Sequence, residues 1–306
     1  MLFVRIHCYL SQGLIIHDTA TMQINKYRKI TKQLAGTATS DGAGVRLTRI
    51  IGTRELNVLD PFLLLDEFFS DNPEEYIAGF PDHPHRGFET VTYMLAGKIR
   101  HKDNAGHEGV IEAGGVQWMT AARGIIHSEM PEQKDGLLWG FQLWINLPAT
   151  EKMGKPGYRE YTEQQIPCEK HDNGVSIKII AGTTALGTSG PVQNVTTRPV
   201  LFDIVLPPST ELIEPVPEDF SAFLFVYSGE IYVICDALQS PAAGKGTISI
   251  LEHGDGIKLR SGNAGAKILL IAAKPLYEPV VRAGPFVMNT RQQINQAIED
   301  YNQGLL

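Results

Sequence analysis

From about residue 44 onward, hydrophobic positions recur in short β-branched or aromatic runs separated by Gly, Pro, Asn and Asp. Residues 45–51 (VRLTRII) partly alternate, 60–69 (DPFLLLDEFF) are apolar enough for a buried strand, and 88–95 (FETVTYML) alternate between two faces. A turn at Ala96-Gly97 leads into 98–101, and a second at Asp103–Gly106 leads into 109–124. The run 137–147 (LLWGFQLWINL) is too aromatic and β-branched for a good helix. Residues 148–174 carry Pro148, Pro156, Gly157, Pro167 and Gly174 among charges and read as a linker. A second strand set then occupies 175–182, 198–207, 222–234, 246–259 and 266–273.

The two sets resemble each other. Residues 92–101 (TYMLAGKIRH) and 224–233 (LFVYSGEIYV) share a strand, Gly, strand pattern, and 110–119 and 249–259 share a strand followed by a turn. The pattern predicts an all-β chain of two tandem, duplicated barrels or sandwiches; one large irregular sandwich is the alternative. The end differs. Ile294, Ala297, Ile298 and Tyr301 follow helical spacing, with Thr290 or Asn289 as cap and Gly304 as stop. This helix is expected to pack on a barrel exterior and to contribute stability, not chemistry. The expected organisation is an extension over 1–40, poorly ordered; a first barrel over 41–150; a second over 170–275; and a helix-bearing segment over 276–306.

Composition narrows the class of function. The net charge of −7 is wrong for a chain built to neutralise phosphates, and no helix-turn-helix or zinc module offers direct sequence-specific DNA binding. Residues 1–54 nevertheless hold eight Lys/Arg against two Asp/Glu. No apolar run approaches the roughly 18–20 residues of a spanning helix, so no membrane partner is expected. Cys8, Cys168 and Cys235 are few and far apart, which favours a reducing compartment over a disulfide framework. Residues 1–17 lack a secretory h-region; an extension is preferred over an organellar presequence, with Met22 as an alternative start.

Five of the nine histidines lie between positions 83 and 127. His83 and His85 share a face of an extended segment, with Pro84 stiffening the backbone between them. His127 and Glu129 repeat that spacing on another strand. A lone HxH is most often a surface turn; the added HxE argues for three imidazoles and a carboxylate around a divalent first-row metal. Fe(II) is preferred, with Mn, Ni, Cu or Zn as alternatives. Ligation needs neutral imidazoles, so metal affinity is expected to fall as pH drops through about 6.5. His101 and His107 flank a hairpin turn and are expected to be solvated. His253 stands in the second half without HxH or GxxH partners, so the second barrel is expected to bind no metal.

The pattern HxHxxxE (His83, His85, Glu89) followed by Gly97 and GxxH (Gly124 to His127) resembles the two motifs of the cupin superfamily. Longer strings are similar to the pirin family: LDPFLLLDEF (59–68), FPDHPHRGFETVTY (80–93), QWMTAARGIIHSEMP (117–131), FQLWINLP (141–148) and GPFVMNT (284–290). The resemblance runs from about residue 44 to 302 and implies tandem cupin jelly-roll barrels with one iron in the first. It maps the metal ligands onto His83, His85, His127 and Glu129. A general cupin would use Glu89 instead, which is taken here as structural or as a support to the ligands.

Two activities follow from the resemblance. The first is a quercetin 2,3-dioxygenase-like reaction on a flavonol or similar aromatic enol with O₂, with Glu129 as the catalytic base. Trp118, Met119, Phe88 and Phe141 are candidate cavity walls, although core packing suits each better; Arg86 and Gln117 are candidate polar pocket or surface residues. The second is an iron-sensing transcriptional cofactor that binds a transcription factor, with Arg46, Arg49 and Arg54 as a candidate contact face. Bacterial relatives add contact with a metabolic enzyme. A monomer is expected, cytoplasmic, and also nuclear if the source is eukaryotic.

Overall fold

The computed structural model describes residues 24–193, 195–235 and 238–306. The expectations for His7, His17 and Met22 lie outside these residues, as does most of the predicted extension. The described part of that extension is built into the fold. Strand β1 (Ile30–Ala35) pairs with β20 (Thr247–Leu251) of the second half, and β2 (Thr37–Asp41) pairs with β3 (Val45–Ile51) of the first. Polar composition hid both, because edge strands expose most of their side chains.

The first barrel has two sheets. The larger joins β2, β3, β4 (Phe62–Ser70), β6 (Phe88–Ala96), β9 (Val116–Thr120), β11 (Leu138–Asn146) and β12 (Gly157–Tyr161) in the order β12-β9-β6-β11-β4-β3-β2. The smaller joins β5 (Phe80–His85), β7 (Lys98–Asp103), β8 (Glu108–Glu112) and β10 (Ile125–Pro131) in the order β5-β10-β7-β8. Val45, Leu47, Phe68 and Met94 from the larger sheet meet Ile99 and Ile111 from the smaller in one buried cluster, which closes the barrel. Strand β12 falls inside the stretch read as linker. So does β13 (Cys168–Lys170), which pairs with β14 (Ser176–Ala181). These strands lie on sheet edges too, where turn residues and charges are tolerated.

The second barrel gathers β13, β14, β15 (Val200–Leu206), β16 (Glu211–Pro215), β17 (Ser221–Cys235), β18 (Leu238–Gln239), β19 (Ala243–Gly244), β20 and β21 (Gly256–Ala273) with β1. The long β17 and β21 serve both faces, and register shifts near Ser228 and Gly229 bend β17 where the strand, Gly, strand pattern predicts a break. Gly229 has φ +72, and a Cβ there would lie 2.1 Å from the Gly265 carbonyl oxygen. The two barrels share a core: Phe62, Tyr93, Trp118 and Phe141 pack with Phe223, Phe225, Tyr227 and Ile271. Within it, buried Asp203 accepts hydrogen bonds from Tyr93 Oη (2.5 Å) and Tyr227 Oη.

Helix α1 (Arg291–Asn302) begins at Thr290, whose hydroxyl accepts from the Gln293 N–H while the Gln293 side chain accepts from the Thr290 N–H. It buries Ile294 and Ala297 against Phe286 and Met288 of β23 (Phe286–Met288), which pairs with β22 (Val281–Ala283). Ile298 and Tyr301 of the predicted stripe remain 39% exposed. The segment does more than stabilise the exterior, because it folds back onto the first barrel beside the histidines.

Candidate metal centre

Strands β5 and β10 are antiparallel neighbours, with His83 opposite His127 and His85 opposite Ile125. Alternation sends His83 and His85 to one face, and the register brings His127 to the same place. The ring centroids lie 4.4 to 4.9 Å apart, and ligand nitrogens of all three residues fall within 4.8 Å of one another. Gly87 ends the segment at φ +91, where the chain crosses into the larger sheet. A Cβ there would stand 1.9 Å from the Val287 carbonyl oxygen, so the turn and its contact with β23 require glycine.

The protons are arranged for ligation. His83 Nδ1 lies 2.8 Å from the Pro81 carbonyl and donates to it, which leaves Nε2 as the lone-pair nitrogen. His127 Nδ1 lies 3.4 Å from His101 Nδ1; with His127 as donor, its Nε2 is likewise free. Both ring nitrogens of His85, and Nε2 of His127, are buried without a hydrogen-bond partner, which is costly unless something else satisfies them. Burial first, and the adjacent imidazoles second, hold His85 and His127 well below the usual histidine range. They are therefore neutral at pH 7, the state that binds metal. Three converging imidazoles, two of them held neutral by burial, fit a divalent cation.

Glu129 is buried beside them and lines the same cavity. A register irregularity between His127 and Glu129 places Glu129 opposite Phe80. Its Oε1 lies 2.9 Å from Thr92 Oγ1, and its Oε2 accepts from Gln142 Nε2 at 3.2 Å. Its oxygens are not among the atoms gathered within 4.8 Å. Glu89 opens β6 in the other sheet, so a strand parity carried through Gly87 does not bring it to the imidazoles. It accepts from Thr120 Oγ1 at 2.7 Å, and burial raises its pKa.

His101 corrects the sequence reading. It is fully buried on β7 opposite Glu129, behind His127, not solvated at a turn. The parity of β7 carried the signal, since His101 faces inward with Ile99 and Asp103. His107 is exposed and pairs with Asp103 at 2.8 Å.

His83 and His85 line a cavity of about 500 Å³ walled by Leu47, Leu64, Phe68, Phe80, Ile99 and Trp144, with Asp41, Asp66, Arg282 and Pro285 among its polar and loop residues. Trp118, Phe141 and Met119 are core residues, and Phe88 packs under the His85 ring at 5.1 Å. Arg282 comes from the C-terminal segment and stacks over Trp144 at 4.8 Å. Arg86 is buried and paired with Asp300 at 2.7 Å, and buried Gln117 donates to Glu160. In the arginine segment, Arg46 is bridged to Glu75, and Arg49 to Asp41 and Asp66. No helix among the described residues is long and apolar enough to cross a membrane.

Residues 44–145 match the pirin family and residues 201–306 the pirin C-terminal cupin domain. A pirin-like protein of Caulobacter vibrioides is 50% identical over 277 residues, covering 90% of this chain and 98% of its own. Human pirin is 42% identical, covering 90% of this chain and 92% of its own. Among solved structures, a quercetin 2,3-dioxygenase from Acinetobacter baumannii superposes with a TM-score of 0.81 at 32% identity, covering 91% of this chain and 98% of that one. With both of its cupin domains matched and its near relatives covered almost end to end, this chain belongs to the pirin family.

Proposed function

We propose that this chain is a metal-dependent dioxygenase that opens a flavonol or similar aromatic enol with O₂. The reading rests on one observation: three imidazoles converge, and two of them, His83 and His85, line an apolar-walled cavity of about 500 Å³ together with the Glu129 carboxylate. The likeness to the Acinetobacter baumannii quercetin 2,3-dioxygenase supports it. His83, His85 and His127 would hold the metal, with Glu129 as fourth ligand or base, and Fe(II) suits this mixed donor set. Bound there, the metal would supply a Lewis-acidic, redox-active centre for the reaction with O₂.

The chain's own groups do the rest. Trp144, Phe68 and Leu47 offer flat apolar walls to an aromatic ring and exclude water from it. Glu129 takes the enol proton. Thr92 Oγ1 lies 2.7 Å from Gln142 Oε1 as well as 2.9 Å from Glu129, yet a hydroxyl carries only one proton. With a proton on Glu129 the ring closes: Glu129 donates to Thr92, Thr92 to Gln142 Oε1, and the Gln142 amide to Glu129 Oε2. The triangle therefore accommodates the protonated carboxyl that follows proton abstraction. His101 positions His127.

Protein reconstituted anaerobically with Fe(II) should consume quercetin and O₂ together. His83→Ala and Glu129→Ala should abolish turnover with the circular dichroism spectrum unchanged. Bound iron without turnover would refute the enzyme and leave the iron-responsive partner-binding role. Folded protein that takes up no Fe(II), Mn(II) or Ni(II) would refute the site itself.

A further inference from the structure

The second barrel carries its own set of converging donors. Glu169 on β13, His171 in the turn after it and Glu214 on β16 place one ligand atom each within 4.8 Å of the others. His171 lies in the stretch that reads as linker, and His253, the histidine weighed there, is exposed with Nδ1 on the Glu218 carbonyl.

The local chain explains the convergence. His171 N–H donates to the Val175 carbonyl and Gly174 N–H to the His171 carbonyl, forming a tight hairpin between β13 and β14. Asn173 Nδ2 donates to the Glu211 carbonyl at 3.0 Å and ties that hairpin to β16. A second turn, closed by Gly187 N–H to the Thr184 carbonyl, brings Thr184 and Ala185 over both carboxylates.

Each carboxylate is held by one oxygen and left open at the other. Thr184 Oγ1 donates to Glu169 Oε2 at 2.6 Å, and Ala185 N–H donates to Glu214 Oε2 at 2.8 Å. Glu169 Oε1, Glu214 Oε1 and His171 Nε2 are buried without a hydrogen-bond partner. Glu169 is 8% exposed and Glu214 0%. His171 Nε2 and Glu169 Oε1 are 2.7 Å apart, yet they lack the alignment of an N–H···O bond. Two atoms so placed suit a shared third partner. Burial, partly countered by the Ala185 N–H and reinforced by the Glu169 charge, pushes the Glu214 carboxyl up to about 7. Two buried carboxylates, each with one open oxygen, are expensive to keep charged, and a dication beside them would offset that cost.

We propose that Glu169, His171 and Glu214 form a second divalent-cation site in the C-terminal barrel, taking Zn(II) or Mn(II) through one imidazole and two carboxylates. The fixed outer oxygens act as the orienting hydrogen bonds that metal ligands ordinarily receive. The partly exposed imidazole gives the ion a route from solvent. Bound there, it pins the 171–174 hairpin to β16.

The test is Zn(II) stoichiometry by calorimetry on the full chain, with Mn(II) electron paramagnetic resonance as a second probe. Wild type should bind two equivalents, and His83→Ala/His127→Ala should keep one. His171→Ala/Glu214→Gln should lose one and keep the other. If Glu214→Gln impairs folding, His171→Ala alone, at a partly exposed position, should weaken the same equivalent at least tenfold. A folded His83→Ala/His127→Ala protein that binds no Zn(II) or Mn(II) below millimolar concentration would overturn the proposal, as would two equivalents retained by His171→Ala/Glu214→Gln. One equivalent in wild type that survives His83→Ala/His127→Ala and is lost with His171→Ala would support it even if the first centre failed.

Discussion

Lys152 joins three parts of the chain through neutral acceptors. Its Nζ donates to the Gly87 carbonyl (2.6 Å), Asn146 Oδ1 (2.5 Å) and the Val287 carbonyl (3.1 Å), and the side chain is 1% exposed. It thereby locks the end of the histidine segment to β23. Burial, only weakly offset by the Glu278 charge, pulls its pKa down to about 8. At 1.36 kcal/mol for each pKa unit, this is a penalty of roughly 3 kcal/mol on the charged form. Lys152→Met keeps the volume and removes that penalty. It also strands three buried acceptors at about 1–3 kcal/mol each, roughly 3–9 kcal/mol together. Set against each other, these leave the variant roughly 0–6 kcal/mol less stable at pH 7. The sign of the pH dependence is fixed as well. Between about pH 8 and the unfolded lysine value near 10.4, the unfolded chain holds a proton that the folded chain has released, so wild-type stability gains with rising pH. The methionine variant forgoes that gain, and the gap between the proteins should widen by roughly 2–3 kcal/mol from pH 7.5 to 10. Opposing contributions from Tyr93 and Tyr227, whose pKa values burial raises, are common to both proteins and cancel in the difference. Urea unfolding across that range measures it. A gap that stays flat with pH would refute a desolvated ammonium, and a variant as stable as wild type at pH 10 would refute the lock.

In metal-free protein, His85 and His127 are held neutral while the unfolded chain titrates near 6.5, so stability should be full above that pH. It should be lost below it at about 1.4 kcal/mol per pH unit for each histidine, and His85→Asn/His127→Asn should flatten the slope in urea titrations. Gly87→Ala drives a Cβ against the Val287 carbonyl and should cost more than about 3 kcal/mol in thermal unfolding, with faster proteolysis between residues 274 and 290. Asp203→Leu leaves the Tyr93 and Tyr227 hydroxyls unpaired between the barrels and should cost roughly 2–5 kcal/mol, most of it recovered by adding Tyr93→Phe and Tyr227→Phe.

The strands with buried, β-branched faces were legible, as was the Thr290-capped helix, because burial leaves a period in the sequence. Strands β1, β2, β12 and β13 were not, since edge strands carry turn residues and charges. The His83, His85 and His127 cluster could be read because i and i+2 on a strand share a face. The carboxylates were harder. A bulge beside Glu129 and a change of sheet at Gly87 both break the parity on which such reasoning depends. His101 stands just before a turn in the sequence yet occupies the inward face of β7. The expectation that metal affinity falls near pH 6.5 used the free imidazole; burial of His85 and His127 moves proton competition to lower pH. Glu169 and His171 do stand at i and i+2, but Glu214 joins them only through tertiary packing from a distant strand, and no second short motif marks the set.

The C-terminal segment would link retention of the proposed first metal to the packing of residues far from it in sequence. Arg86 between the histidines and Gly87 is paired with Asp300, the Arg86 N–H and carbonyl bond to the Pro285 carbonyl and Val287 N–H, and Asn104 Nδ2 donates to the Leu306 carbonyl. Arg282 and Pro285 complete the cavity. A ligand that binds only the assembled loop stabilises everything needed to assemble it, by RT ln(1 + [M]/Kd). Removing residues 276–306 should therefore weaken metal binding while leaving His83, His85 and His127 in place, and adding metal should slow proteolysis of that segment. The two effects are one free energy read from opposite ends, so a truncated, folded chain with unchanged metal affinity would show that the segment merely covers the barrel.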